Sequence, residues 1–117
     1  MTEPESSLPI IDWAYGQEID GRSPGLMSEL LRLLAQELPT MQTAINQASR
    51  ENDLCELGDQ LHKFYGSCVY CGLSRLKAVV IKCSSLLKQQ QAPDQTLLDE
   101  FNQGIEEVKQ EMKEKGI

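Results

Sequence analysis

The chain has 117 residues, 40% of them hydrophobic and 25% charged, which fits one globular domain and is too short for two. Its 18 acidic and 11 basic residues leave a net charge of −7, which argues against nucleic acid as a partner. No apolar stretch approaches the ~20 residues that span a bilayer, and the acidic start Met1-Thr2-Glu3-Pro4-Glu5 is unlike a signal peptide. The expectation is a cytoplasmic domain without direct membrane contact, its four cysteines reduced.

Residues 1–9, with Pro4, Pro9 and two serines, read as a flexible lead, and the folded part is expected over 10–115. Asp12 is placed to cap a short helical turn, Trp13 to pack at the core edge. Gly16, Gly21, Pro24 and Gly25 predict a loop over 16–25. A long helix follows from about Pro24 to Ser49. Leu26, Met27, Leu30, Leu31, Leu33, Leu34, Met41, Ala44, Ile45 and Ala48 form its apolar face. Pro39 interrupts that helix, and because the apolar phase continues beyond it, a kink is expected rather than an end.

A second long helix is predicted from Asn52 or Asp53 to Tyr70, stopped by Gly72. Ser74 is expected to cap a third, reaching about Gln90, with Leu76, Val79, Val80, Cys83, Leu86 and Leu87 inside. After a loop at 89–94, a fourth helix from Asp94 carries Leu97, Leu98, Phe101, Ile105, Val108 and Met112 on one stripe. Near its charged end, Glu111 and Lys115 have i,i+4 spacing. Sustained strand alternation is absent. Amphipathic helices with short connections predict an all-α fold, an antiparallel four-helix bundle preceded by a short helical segment.

His62 is the single histidine. On a wheel of 100° per residue with His62 at zero, Leu54, Leu57, Leu61, Phe64, Cys68 and Cys71 fall between roughly 180° and 280°. The imidazole therefore faces outward. Gly66, one turn on, lies on nearly the same line, and a glycine inside a helix costs about 1 kcal/mol relative to alanine. A nucleophilic nitrogen left open to a partner explains that cost; an ordinary surface histidine beside an incidental glycine is the plainer reading. Cys55, Gly58, Asp59, Tyr65, Gly66 and Val69 lie within about 60° of His62 and form a small-residue surface around it.

The run from His62 to Leu76 resembles the signature of the histidine-phosphotransfer (HPt) family. Phe64 is the apolar residue two after the histidine, Gly66 and Ser67 are the glycine and small residue next, and Gly72 and Leu76 follow at ten and fourteen. Ile11-Asp12-Trp13, Glu37-Leu38-Pro39 and Gly66-Ser67-Cys68 further resemble the C-terminal HPt domains of GacS/BarA-type hybrid sensor kinases. The resemblance implies a phosphorelay intermediate. His62 accepts a phosphoryl group from a receiver-domain aspartyl-phosphate and passes it to a downstream response regulator. It implies no autonomous kinase or phosphatase activity and no cofactor bound by this domain, the Mg²⁺ belonging to the receiver. A monomer is expected, as the tail of an inner-membrane sensor kinase. Lys63, Gly66 and Ser67 are the expected phosphoryl-supporting residues; Cys55, Gly58, Asp59, Tyr65, Val69 and Lys88 are the expected receiver-docking set.

One departure stands out. The family often has lysine three residues after the histidine, where this chain has Tyr65. Lys63 is expected to supply positive charge instead; Ser84 and Lys88 on the next helix are candidates to orient the imidazole or meet the receiver, while Tyr65 is read as half-buried packing in preference to a hydrogen-bond donor. Two other readings compete. Cys68-Val69-Tyr70-Cys71 is a CxxC, yet it lacks a second ligand pair for zinc and ends a helix where a thioredoxin-like motif would begin one, so no metal site is expected. A helical adaptor that binds partners without accepting phosphate is the alternative to phosphotransfer.

Overall fold

The computed structural model describes residues 7–117; most of the expected lead, 1–6, lies outside the described residues. The chain forms α1 (Trp13–Arg22), α2 (Leu26–Arg50), α3 (Leu54–Cys71), α4 (Ser74–Lys88) and α5 (Gln95–Glu114). The all-α reading holds: among the described residues there is no strand. Asp53 caps α3 by accepting from Glu56 N, and Asp94 caps α5 by accepting from Leu97 N. These side chains satisfy amides that a helix start leaves without partners.

The four long helices close a ring, α2 on α3, α3 on α4, α4 on α5 and α5 back on α2. Their contacts set the directions. Cys71 Sγ reaches Leu30 O across α3 and α2. Leu87 lies against Gly58 across α4 and α3. Arg75 pairs with Glu107 at 2.8 Å across α4 and α5. Each pairing joins the far ends of neighbours linked by a short turn, so consecutive helices run antiparallel. The core runs through the ring, with Leu31, Leu38, Leu61, Phe64, Val80, Phe101, Ile105 and Val108 fully buried. Phe64 and Phe101 meet edge to face, centroids 5.3 Å apart, a favoured aromatic geometry.

Several expectations need correction. The loop expected over 16–25 is confined to 23–25; α1 continues to Arg22, started by the Asp12 carboxylate, which accepts from Tyr15 N. Gly16 is a contact point, because a Cβ there would sit 3.0 Å from Met27 Cγ on α2. Ser74 is the first residue of α4 and does not cap it; the cap position is Leu73, which supplies no side-chain bond. Leu33 leaves the apolar face of α2 and is exposed. Glu111 and Lys115 both turn to Trp13 rather than to each other: Trp13 Nε1 donates to Glu111 Oε1 at 2.6 Å, and Lys115 Nζ lies 5.1 Å from the ring centre. The expectation that Pro39 does not end its helix needs no correction: α2 runs on through the exposed Pro39 to Arg50. No helix among the described residues is long and apolar enough to cross a membrane.

Gly72 joins α3 to α4 and to the N-terminal segment. Its φ of +67° is the left-handed conformation that favours glycine, and a Cβ there would lie 2.9 Å from Tyr15 Cδ1. Gly72 O accepts from Asp12 N at 2.8 Å, Pro9 O accepts from Arg75 N, and Leu8 O accepts from the Arg75 guanidinium. Residues 8–12 are thus strapped across the α3–α4 turn.

Candidate functional site

Leu61 and Phe64 flank His62 and are at most 1% exposed, so the core fixes the rotation of α3 about its own axis. With that rotation fixed, His62 is exposed, at the edge of a groove between α3 and α4 of about 560 Å³. The groove is lined on α3 by Leu54, Cys55, Gly58 and Tyr65, and on α4 by Ile81, Ser84, Ser85, Leu87 and Lys88.

Gly58, His62 and Gly66 are four residues apart and stand in line along α3. The fold requires neither glycine. A Cβ on Gly66 would meet nothing within 4 Å, and one on Gly58 would meet only Leu87 Cδ1 at 3.9 Å, an ordinary contact. The contrast with Gly104 of α5 is instructive: a Cβ there would lie 2.6 Å from Leu76 Cδ2, so that glycine permits α4 and α5 to approach.

Of the expected docking residues, Cys55, Gly58, Tyr65 and Lys88 share the groove with His62, while Asp59 and Val69 lie outside its lining. Both are exposed. Lys63, Gly66 and Ser67 also lie outside the lining. Ser84 lies in the groove. Tyr65, 37% exposed, also lines it. Leu54, Ile81, Ser85 and Leu87 were not foreseen. Ile81 carried a signal, since it falls off the apolar stripe of α4 and is 46% exposed.

The CxxC thiols face inward. Cys68, Cys71 and Cys83 are buried and Cys55 is exposed; all four are free. Burial pushes the Cys68 thiol far above its usual range, with neighbouring Cys71 adding to the effect. Burial, then the nearby Glu37 carboxylate, pushes Cys71 up to about 11. Burial and then Glu100 do the same for Cys83, also to about 11. Such thiols stay neutral and behave as small apolar groups. Among the described residues no group of three or more His, Cys, Asp or Glu is arranged to hold a metal ion.

A helical bundle presenting one exposed imidazole beside an open groove has the architecture of a histidine-phosphotransfer module. The chain belongs to the Hpt domain family, which matches residues 29–111. It is therefore a phosphorelay intermediate of the two-component type. It is similar to the sensor histidine kinase GacS of Pseudomonas protegens, with 30% identity over 98 residues, 84% of this chain and 11% of that protein. The sensor protein GacS of Pseudomonas syringae pv. syringae is 24% identical over 96 residues, 82% of this chain and again 11% of the relative. The chain thus spans about a ninth of the length of these curated relatives. No solved structure matches it significantly.

Proposed function

We propose that His62 carries the phosphoryl group, taking it from the aspartyl-phosphate of one receiver domain and giving it to the aspartate of another. The observation that supports this reading best is the line Gly58-His62-Gly66. Two helix-interior glycines flank an exposed imidazole, and neither is required by packing within the chain. Their cost to the helix is on the order of 1 kcal/mol each, and a partner that must approach the backbone closely accounts for it.

The chemistry needs little from this domain. The unprotonated ring nitrogen of His62 attacks phosphorus as the P–O bond to the receiver aspartate breaks, and the carboxylate leaves with the bonding pair. The other ring nitrogen keeps its proton. The resulting phosphoimidazolium is a good donor, so the reverse step delivers the group to a second aspartate. Rigidity serves such in-line transfer, because a nucleophile held on a packed helix loses little entropy on reaching the reactive geometry. Mg²⁺ neutralises phosphoryl oxygens in transfers of this kind, and here it belongs to the receiver. The domain acts as a carrier without kinase or phosphatase activity of its own. It works as a monomer, in the cytoplasm, as part of a membrane-anchored sensor kinase. The receiver meets the α3–α4 face, a transient contact burying on the order of 1,200 Å² or less.

The experiment is direct. The domain is incubated with a phosphorylated receiver and the label followed, with His62→Gln in parallel. Acid-labile phosphohistidine on the parent and none on the variant is expected. Binding of the receiver without any label on the parent would leave the adaptor reading in its place.

A further inference from the structure

Tyr65 occupies the position from which a lysine often assists in this family, and the question is which group of this chain balances the charge of a phosphoryl group on His62. We propose that it is Lys88, reaching across the groove from α4. This rests on His62 being the phosphoryl site.

Three observations point the same way. The first is lining. Lys88 shares the groove with His62, whereas Lys63, Lys77 and Lys82 do not line it. In a chain of net charge −7, the groove has no carboxylate in its lining, and Lys88 is its one fixed charge. Its other polar side chains are the hydroxyls of Tyr65, Ser84 and Ser85, each able to donate to a phosphoryl oxygen.

The second is direction. Helices α3 and α4 run antiparallel, and the Gly58–Leu87 contact sets their register. Ser84 then lies level with His62, and Lys88 one turn away, level with Gly58, about 6 Å along the axis. Side chains lean toward the N-terminus of their own helix. His62 therefore leans toward the level of Gly58, while Lys88, on a helix of opposite sense, leans toward the level of His62. The two converge. Lys63 lies about 100° around α3 and does not line the groove, so its charge is directed away from this space.

The third is availability. Lys88 makes no ion pair among the described residues. The charged neighbours of His62 on its own helix are Lys63 and Asp59, both exposed; on α4 the facing charge is Lys88. Its ammonium is thus free to meet a dianion when one arrives on the imidazole.

The test avoids any receiver by using phosphoramidate as the phosphoryl donor, with phosphorus NMR of the product. The parent domain is compared with Lys88→Gln, Lys88→Arg, Lys63→Gln, Lys113→Gln and His62→Gln. An exposed cation changes such an equilibrium by a factor of about two to five. Lys88→Gln should therefore raise the pKa of the phosphoryl group by roughly 0.3 to 0.7 unit and slow its formation by a similar factor. Lys88→Arg should restore both, and Lys113→Gln, at the far end of α5, should change neither. A phosphoryl pKa unmoved by Lys88→Gln, or moved more by Lys63→Gln, overturns the assignment. Failure of the parent to acquire phosphohistidine, or labelling of His62→Gln at the parental rate, would instead overturn His62 as the site.

Discussion

Replacing Gly66 separates folding from function. A Cβ at this position meets nothing within 4 Å, so alanine gains helix propensity and pays no steric penalty. The expected gain is about 0.5–1 kcal/mol, part of it from a less mobile unfolded chain. For a domain of this size that is a rise in Tm of about 2–4 °C. Gly66→Gln should keep part of the gain, since glutamine is a good helix former, while placing a long side chain one turn from His62. An inserted side chain at a close contact costs about 1–3 kcal/mol, which is on the order of tenfold or more in the rate of transfer from a phosphorylated receiver. Urea denaturation with linear extrapolation gives the stability, and rapid-quench measurement of label transfer gives the rate. Gly104→Ala is the internal contrast. It makes the same chemical change where the new Cβ would lie 2.6 Å from Leu76 Cδ2, so it should destabilise by about 1–3 kcal/mol. A loss of stability in Gly66→Ala, or transfer at the parental rate by a stabilised Gly66→Gln domain, would refute a role for Gly66 in partner approach.

The thiols should divide by burial: at neutral pH one aromatic disulfide reagent equivalent reacts fast, with Cys55, and Cys68, Cys71 and Cys83 react only as the domain opens. Because Cys71 and Cys83 ionise near 11 in the fold against 9.0 for an unburied thiol, their neutral forms support the fold fully below pH 9. That support is lost as the pH rises from 9 toward 11, where the unfolded chain ionises first. A Cys71→Ala, Cys83→Ala double variant should flatten the fall in urea midpoint across that window. Trp13→Phe removes the Nε1 donor to Glu111 and the larger ring beneath Lys115. It should cost about 1–2 kcal/mol by urea denaturation, with transfer to His62 unchanged. Asn102→Ala breaks the bonds that Asn102 makes across to Gln42 and Asn46 on α2 and the one it makes along α5 to Leu98 O. A loss of about 1–3 kcal/mol is expected, and a loss below 0.5 kcal/mol would mean water replaces that network.

The bundle was legible because its helices carry their own punctuation. Asp53, Gly72 and Asp94 stand where local geometry needs them, and the apolar stripes of α3 and α5 leave one face each for the core. The outward direction of His62 followed from the same periodicity. What escaped was tertiary. Glycines at 16 and 21 look like a loop until α2 is present to press Met27 against Gly16. The groove needed the register of α3 against α4, which no single-helix wheel contains. That register brings Ile81, Ser85 and Leu87 to His62 and leaves Lys63 outside. Trp13 was expected at the core edge, but its attachment to Glu111 and Lys115, about a hundred residues on, is a long-range pairing that helical spacing does not encode.

The strap of residues 8–12 over the α3–α4 turn has a consequence for any polypeptide joined upstream. Through Arg75 and Gly72 the N-terminal segment leaves the bundle at the Gly72 end. His62 lies ten residues back along α3, about 15 Å away. A receiver carried on that side would swing from a fixed pivot at one end of the docking face, its visits to the imidazole set by tether length. A receiver arriving from solution would feel no such leash. The anchorage thus offers a geometric way to rank the two: the tethered receiver at a high effective concentration governed by its linker, the free one at its concentration in solution.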